Sequence, residues 1–300
     1  MDRQQTDWNQ GFIAVDWGTT NRRAYLIGPD GDCRGEFEDD RGILSVEAGT
    51  FPEAVAHIRA RLGDLPLLMA GMVGSNRGWV EAPYVPCPAG REELTSRIIW
   101  AEEGRTAIVP GMCHVGDDDA DVMRGEEVQM FGALASGLVP DTCLICHPGT
   151  HNKWVNLVGG KVESFRTVMT GEMFNLLKNH SILADLLAMP ASTGEAFREG
   201  VRRGLSHDGL TAELFSVRAR VLLGQAERED AASFTSGLLI GADVRVGLRT
   251  APDAQVFIMG RPELTRLYAV ALEEAGSEGR EVDGETAFLA GITYLAETMK

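Results

Sequence analysis

One motif occurs twice in this chain, about half a chain apart, and it constrains the fold more than any other feature. The first copy, Phe12 to Leu26, has the sequence FIAVDWGTTNRRAYL, and the second, Cys143 to Leu157, has the sequence CLICHPGTHNKWVNL. Each copy predicts a buried strand, a Gly-Thr turn and a second strand with alternating exposure. The repeat therefore predicts a hairpin that the chain builds twice.

The two copies match at one constant spacing through the turn and into the second strand. The matched pairs are Gly18 with Gly149, Thr19 with Thr150, Asn21 with Asn152, Arg22 with Lys153, Tyr25 with Asn156 and Leu26 with Leu157. A third strand is predicted after each hairpin, at 32–38 and at 161–168, so the duplication covers whole units. We expect two domains, at 1–140 and 141–300, with the boundary near 138–143.

The two turns have the composition of a phosphate-binding loop. Glycine lets the backbone approach an anion closely, turn amides form a concave set of donors, and threonine hydroxyls add more. The candidates are Gly18, Thr19, Thr20, Gly149 and Thr150. One copy alone would favour the alternative, an ordinary hairpin with Gly-Thr in its turn. Two copies in register favour phosphate binding.

Composition excludes several classes of protein. A chain of 300 residues with 44% apolar and 24% charged residues is typical of a globular protein, and its net charge is −16. That charge disfavours nucleic acids and anionic membranes as partners, because both require a cationic face. The chain has no apolar run long enough to span a bilayer, and it starts with a polar, acidic segment. We expect a cytoplasmic enzyme.

The five cysteines do not indicate a disulfide framework or a metal site. Their number is odd, they are scattered along the chain, and reduced thiols are the expectation. Cys143 and Cys146 form a C-x-x-C sequence, but residues three apart on a strand point to opposite faces. Both cysteines are therefore predicted to lie in the core.

A glycine-rich loop follows the predicted short strand Leu67 to Ala70. It begins at Gly71 and carries Asn76 and Arg77. Ligands of open α/β sheets bind at the carboxyl ends of the strands, where this loop is expected to lie. The alternative is a glycine-rich surface loop, which this stretch alone favours nearly as strongly.

An acidic run precedes a predicted helix in the middle of the chain. Its aspartates are Asp117, Asp118, Asp119 and Asp121. We expect the run to lie at the N-terminus of the helix, where capping and the helix dipole favour acidic residues. Four aspartates exceed what a cap needs, so one of them is a candidate for the base that accepts a proton from a substrate hydroxyl.

The second half of the chain supplies further candidates. Arg166 precedes a predicted helix that Thr170 is expected to cap. A later helix, at 232–248, has Gly237 and Gly241 one turn apart, which predicts close helix packing. A predicted strand at 255–259 turns at Gly260 into a helix, and such a unit can hold a nucleotide, although one glycine is weak evidence.

Six runs of sequence are typical of one enzyme family: VDWGTTNRRAYL, MAGMVGSNRGWVEAPY, DVMRGEE, PGTHNKWV, FRTVMTGE and SGLLIGA. On these runs, over nearly its whole length, the chain resembles the 2-dehydro-3-deoxygalactonokinase family. More broadly it resembles the actin, hexokinase and Hsp70 ATPases. The resemblance implies an α/β fold of duplicated ribonuclease H-like (actin-like ATPase) domains that close on a nucleotide between two phosphate hairpins.

The resemblance also implies an activity and its cofactors. The family transfers the γ-phosphoryl group of ATP to the 6-hydroxyl of 2-dehydro-3-deoxygalactonate, an alcohol acceptor. By similarity, Asp16 would orient Mg²⁺ through water, and the two Gly-Thr turns would face the phosphates. Asp118 would be the base, with Asp121 as the second choice. His147 stands where the first copy has Asp16, so the two turns are expected to differ in role.

The substrate carboxylate and keto group require hydrogen-bond donors. The candidates are Asn76, Arg77, Arg124, His151, Lys153 and Arg166. For each of these residues, the alternative to binding the substrate is an ordinary ion pair on the protein surface. Two other functions remain open: a kinase of the same fold for another sugar or sugar acid, and an actin-like ATPase that drives assembly. The sequence leaves the oligomeric state open, with a homodimer as one candidate.

Overall fold

The computed structural model describes residues 7–116 and 119–299. So far as its residues are described, the chain divides into two compact units. The first unit is Met1–Asp141 with Gly160–Glu163 and Glu285–Lys300, and the second is Thr142–Gly159 with Ser164–Gly284. The last helix of the chain therefore belongs almost entirely to the first unit.

The chain contains both strands and helices, with runs of consecutive strands in the first half and four consecutive α-helices in the second. The described strands are β1 (Phe12–Trp17), β2 (Arg22–Ile27), β3 (Cys33–Asp39), β4 (Leu67–Gly71), β5 (Tyr84–Pro86), β6 (Ile99–Glu102), β7 (Thr106–Ile108), β8 (Gly111–Val115), β9 (Ala120–Met123), β10 (Cys143–His147), β11 (Asn152–Val158), β12 (Lys161–Val168), β13 (Val256–Gly260) and β14 (Gly279–Asp283). The described α-helices are α1 (Phe51–Leu62), α2 (Arg91–Thr95), α3 (Glu126–Ala135), α4 (Thr170–His180), α5 (Glu195–Ser206), α6 (Leu210–Leu222), α7 (Ala231–Thr250), α8 (Pro262–Glu274) and α9 (Gly284–Ala296).

The two main sheets follow the same path. The strand order is β3-β2-β1-β4-β7-β6 in one sheet and β12-β11-β10-β13-β14 in the other. In each sheet the hairpin strands are antiparallel: β1 pairs with β2, and β10 pairs with β11. The first strand of each hairpin also pairs in parallel with the strand on its other side, which is β4 or β13. This shared topology confirms the predicted duplicated α/β fold. A three-stranded sheet, in the order β5-β8-β9, is additional.

The first sheet is covered by α1. The sequence predicts this helix over Phe51 to Leu62 from its apolar spacing, and the structure confirms both ends. Phe51, Val55 and Ile58 are buried against the β1 side chains of the same core cluster. The ring of Trp17, which ends β1, lies 5.7 Å from that of Phe51. The core of the first unit therefore extends to the end of β1, where the first turn begins.

Helices α5 and α7 pack closely in the second unit. A β-carbon on Gly237 would lie 2.1 Å from the carbonyl oxygen of Phe197, and one on Gly241 would lie 2.3 Å from that of Val201. Gly200 and Gly204 are equally close to the backbone of α7. The predicted close packing at Gly237 and Gly241 is confirmed. This packing fixes α7 directly against α5.

Two other predictions have simple outcomes. Cys143 and Cys146 are both buried in β10, as expected. None of the helices within the described residues is both long and apolar enough to cross a lipid bilayer.

Candidate functional site

The first Gly-Thr turn is held by the segment that follows β3. The N–H of Gly18 donates to the carbonyl of Asn21 at 2.9 Å and closes the turn. The carbonyl of Thr19 then accepts the N–H of Leu44 at 3.2 Å, and the carbonyl of Thr20 accepts the N–H of Gly42 at 3.0 Å. Both threonine side chains are exposed. The backbone of the turn is therefore fixed while its hydroxyls face solvent.

An ion pair between a buried guanidinium and a partly exposed carboxylate lies directly behind this turn. Arg22, which begins β2, is fully buried, and its Nη2 lies 2.6 Å from Oδ2 of Asp39. Its Nε donates to the other carboxylate oxygen at 3.2 Å. The guanidinium also lies 4.9 Å from the centre of the Trp17 ring. The pair lowers the pKa of Asp39 against the opposing effect of burial, so both groups remain charged.

The second hairpin differs from the first in its register. Asp16 pairs with Arg23, so residues 17–22 lie between them, whereas His147 pairs with Lys153, so residues 148–152 lie between them. The second turn is one residue shorter. The constant spacing predicted from the sequence is therefore wrong beyond the turn: Asn152 takes the place of Arg22, and Lys153 that of Arg23.

Asn152 begins β11 and is fully buried, as Arg22 is at the start of β2. Its Nδ2 donates to both carboxylate oxygens of Asp243 on α7, at 2.9 and 3.0 Å. The indole Nε1 of Trp154 donates to the same carboxylate at 2.7 Å. Burial raises the pKa of Asp243, and its hydrogen bonds oppose that rise. A carboxylate therefore lies behind each turn: Asp39 is partly exposed, and Asp243 is fully buried.

The second turn lies against the first turn of α4. The N–H of Glu172 donates to the carbonyl of Thr150 at 2.9 Å. A β-carbon on Gly171 would lie 2.4 Å from the carbonyl oxygen of Gly149, so only glycine permits this approach. Thr170 does not cap α4 as predicted: it is the first helical residue, and its hydroxyl donates to Asp243. The turn and the N-terminus of the helix form one backbone surface.

A cavity of about 400 Å³ opens beside this surface, within the second unit. The backbone-rich side consists of the turn and the start of α4. Apolar side chains from α4, α7 and α8 form the remaining walls. The lining residues are Pro148, Gly149, Thr150, Thr170, Gly171, Phe174, Asn175, Ala191, Ser236, Leu239, Ile240, Glu263, Leu264, Leu267 and Tyr268. Such a cavity suits a ligand with an anionic end and a flat, largely apolar end.

Gly260 lies near this cavity without lining it. It ends β13, and a β-carbon on it would be 3.6 Å from the carbonyl oxygen of Pro148. The structure therefore brings Gly260 together with Gly149 and Thr150.

The loop after β4 lies at the same edge of the first sheet as the first turn. Gly71 pairs with Trp17 in adjacent parallel strands. Asn76 and Arg77 follow on this loop, and both are exposed. A β-carbon on Gly125 would lie 3.2 Å from the Cα of Gly71, so the start of α3 also reaches this edge.

Arg124 lies beside this loop. Its Nη2 donates to the carbonyl of Ala82 at 2.8 Å, and its guanidinium lies 4.4 Å from the centre of the Tyr84 ring. The Nε and Nη1 atoms are buried and have no hydrogen-bond partner among the described residues. Arg124 therefore retains donor capacity at the edge where ligands of this fold bind.

The described part of the acidic run, Asp119 and Asp121, does not begin a helix. Asp121 lies on β9 opposite His114, and α3 begins only at Glu126. Asp119 lies in the turn, where its carbonyl accepts the N–H of Gly116 at 2.8 Å. The expected position at a helix N-terminus is therefore wrong. The physical reason is that exposure alternates along Ala120–Met123, as it does on a strand at a sheet edge.

The predicted base, Asp118, and its neighbour Asp117 lie outside the described residues. After the described residue Asp119, β9 leads into Arg124 and α3 within the first unit. Asp16 lies at the carboxyl end of β1 in the same unit and is partly buried.

The first unit also contains a carboxyl group that the sequence did not single out. Glu127, in the first turn of α3, is fully buried, and the N–H of Gly125 donates to its two oxygens at 2.7 and 2.9 Å. Burial, reinforced by the charge of Glu126, raises the pKa of Glu127 to about 8. The group is therefore neutral at neutral pH.

The remaining substrate candidates lie in the second unit. His151 is exposed in the turn, and its Nε2 lies 2.5 Å from Oε2 of Glu172. Lys153 is 4% exposed, and its Nζ lies 3.4 Å from the carbonyl oxygen of His151, which places the ammonium group beside the turn. Arg166 lies on β12 and is partly exposed. His151 and Lys153 are thus adjacent to the predicted phosphate site.

Asp243 was also missed from the sequence, although one signal was present. It is the single acidic residue of α7, a helix of twenty residues that is otherwise mostly small and apolar. A lone carboxylate on a buried helix has to find donors, and here they come from distant parts of the chain.

Three comparisons place the chain among known proteins. A family model described as 2-keto-3-deoxy-galactonokinase matches residues 16–295. The 2-dehydro-3-deoxygalactonokinase of Escherichia coli (strain K12) is 39% identical over 298 residues, which cover 96% of this chain and 98% of that protein.

Solved structures agree with this match. A crystal structure of a Sinorhizobium meliloti protein assigned as a 2-dehydro-3-deoxygalactonokinase has a TM-score of 0.88 at 35% identity, covering 96% of this chain and 98% of that one. The activator of 2-hydroxyisocaproyl-CoA dehydratase from Clostridium difficile has a TM-score of 0.52 at 13% identity, covering 96% and 95%. At that identity the likeness concerns the fold alone.

Proposed function

This chain belongs to the 2-keto-3-deoxy-galactonokinase family, and we propose on that basis that it is an ATP-dependent sugar-acid kinase. It transfers the γ-phosphoryl group of ATP to the 6-hydroxyl of 2-dehydro-3-deoxy-D-galactonate, a step of galactonate catabolism. The reaction is a phosphotransfer to an alcohol group, and its substrates are small molecules.

The cavity of the second unit is the observation that carries the nucleotide part of this proposal. Its backbone-rich side, formed by Gly149, Thr150 and Gly171, offers N–H groups and the positive end of the α4 dipole to phosphate. Its apolar walls, which include Leu239 and Leu264, suit a purine base. We therefore place ATP in this cavity, with Gly260 next to the bound phosphates.

The first hairpin is proposed to serve the metal ion. Among the described residues, no three His, Cys, Asp or Glu side chains are grouped to hold a metal. Mg²⁺ in kinases usually has one or two protein carboxylates, with phosphate oxygens and waters completing its shell. Asp16, at the end of β1, fits such a role through a water, with Gly18, Thr19 and Thr20 beside it. The ion would neutralise charge on the phosphates.

Asp118 is proposed as the general base. Its carboxylate accepts the proton of the 6-hydroxyl as that oxygen bonds to the γ-phosphorus, and the bond from phosphorus to the bridging oxygen breaks to release ADP. Asp121, which lies on β9, is the second candidate.

The substrate carboxylate and keto group are proposed to bind cationic and amide donors. Arg124 is the best supported of these, because its buried Nε and Nη1 atoms have no hydrogen-bond partner among the described residues. Asn76 and Arg77 share its sheet edge. His151, Lys153 and Arg166 remain candidates in the second unit.

A coupled assay of ADP release tests the function. The panel should contain several 2-keto-3-deoxy sugar acids, the corresponding sugar acids without the keto group, and neutral hexoses. We expect turnover to be greatest with 2-dehydro-3-deoxy-D-galactonate, and ³¹P NMR to show a product phosphorylated at the terminal carbon. A neutral hexose as best substrate would overturn the assigned specificity, and ATP hydrolysis that no sugar stimulates would favour a non-sugar ATPase.

A further inference from the structure

Asp243 is fully buried and lies behind the second hairpin rather than in the cavity. It belongs to α7, and two of its hydrogen-bond donors, Asn152 and Trp154, are on β11. These residues are 91 and 89 positions away in sequence. The carboxylate therefore fixes the start of β11, and with it the end of the Gly149–Thr150 turn.

Two more donors come from other elements. The hydroxyl of Thr170, at the start of α4, and the phenol of Tyr268, on α8, both donate to Oδ2 of Asp243, the latter at 2.5 Å. Thr170 and Tyr268 both line the cavity. One side chain on α7 thus joins three elements that surround the proposed nucleotide site.

The hydrogen bonds of this cluster indicate whether the carboxyl group of Asp243 carries a proton. All four partners are neutral donors, and Asp243 acts only as an acceptor, which is the role of an ionised carboxylate. Replacing it by an amide would leave one oxygen to serve these donors and would turn an N–H group toward some of them. Buried donors without an acceptor are costly, so the neighbouring elements would shift.

We propose that Asp243 is a positioning residue for the nucleotide. It holds the Gly149–Thr150 turn and the first turn of α4 in the arrangement that receives the phosphates, and it acts through Asn152, Thr170 and Tyr268 without touching the ligand. This inference rests on the proposed function, because it assumes that ATP occupies the cavity of the second unit.

The test compares the Asp243→Asn variant with the wild type. Isothermal titration with a non-hydrolysable ATP analogue should show a dissociation constant raised about tenfold or more, on the scale of losing groups that orient a ligand's direct contacts. The KM for the sugar acid, measured at saturating ATP, should change by less than about twofold. A purely structural role would not separate these two quantities.

Two further variants make the result interpretable. Glu274→Gln removes a carboxylate from α8 that pairs with Arg198 and Arg202 and does not line the cavity, and it should bind the analogue as the wild type does. Asn152→Leu removes one donor to Asp243 at similar volume, and it should weaken analogue binding in the same direction. It serves as the test if Asp243→Asn does not fold.

The outcomes separate this inference from the function on which it rests. If the wild type binds the analogue and both Asp243→Asn and Asn152→Leu bind it equally well, the inference is wrong. It is also wrong if nucleotide affinity and sugar-acid KM deteriorate together. A wild type that binds no nucleotide would overturn the proposed function itself.

Discussion

Each hairpin has a carboxylate behind its turn, and the two carboxylates are held in chemically different ways. Behind the first turn, Asp39 accepts two hydrogen bonds from the buried guanidinium of Arg22. Behind the second, Asp243 accepts hydrogen bonds from four neutral side chains. The first turn is thus stabilised by a local ion pair, and the second by a cluster that includes residues of the cavity wall. The duplicated unit kept its topology while its polar chemistry diverged.

The difference should be largest in stability. Asp39→Asn leaves the fully buried Arg22 without its counter-charge, and breaking such a pair costs about 3–5 kcal/mol. We expect a loss of free energy of unfolding in this range by urea titration. Asp243→Asn should cost less, because no buried cation remains. The exposed pair of Asp30 with Arg34 supplies the control, since Asp30→Asn should leave the free energy of unfolding nearly unchanged. Equal losses at positions 39 and 243 would contradict the comparison.

Glu127 adds a third case to the comparison. It is a buried carboxyl that accepts hydrogen bonds from a backbone N–H, that of Gly125, and has neither the guanidinium donor of Asp39 nor the four side-chain donors of Asp243. Its pKa in the folded state is about 8, well above the ordinary value of 4.5, so the folded state binds the proton more tightly than the unfolded state does. Its contribution to stability is complete below about pH 4.5 and is lost as pH rises to about 8, at up to about 1.4 kcal/mol per pH unit.

Glu127→Gln keeps a neutral side chain at every pH. The free energy of unfolding of the wild type, measured across this window, should therefore fall more steeply with pH than that of the variant, by about 5 kcal/mol in total. Parallel curves for the two proteins would show that Glu127 is ionised in the folded state.

The chemical step should depend on the first unit. Asp118→Asn should lower kcat about 10²-fold or more while leaving the dissociation constant for an ATP analogue unchanged, as expected for loss of a general base. Asp121→Asn, made in parallel, should have a smaller effect. Near-normal turnover of the Asp118 variant with a large loss in the Asp121 variant would move the role to Asp121.

Nucleotide affinity should depend on the second turn. A β-carbon on Gly149 would meet no atom closer than the carbonyl oxygen of His151, at 4.0 Å, so the protein itself has room for alanine. Gly149→Ala should keep its unfolding midpoint and weaken binding of the ATP analogue about tenfold, or about 1.4 kcal/mol, because the methyl group would occupy the phosphate position. Gly35→Ala in β3, where a β-carbon also has open space, is the control. Unchanged affinity for nucleotide would place the phosphates elsewhere.

The fold was largely predictable because its signals are local. The apolar spacing of α1 predicted both of its ends. The proline at position 262 predicted the start of α8. Each of these patterns lies within one element.

The site was less predictable because its contacts are distant in sequence. The glycines and threonines of the two turns were evident from the repeat, but a turn that is one residue shorter leaves no mark in an alignment of similar residues. The acidic run resembled a helix start, although its second half pairs with β8. No local pattern connects Asp243 with Asn152 or Thr170, since only the packed fold brings them together.

The hydrogen bond between Trp154 and Asp243 gives the molecule an internal spectroscopic reporter. The indole N–H of this buried tryptophan faces a carboxylate that also bonds two residues of the cavity wall. The chain has five tryptophans, so its indole region in an ¹⁵N-correlated spectrum is sparse. Occupation of the cavity would register in that signal, so nucleotide binding to ¹⁵N-labelled protein would be visible without a probe attached near the site.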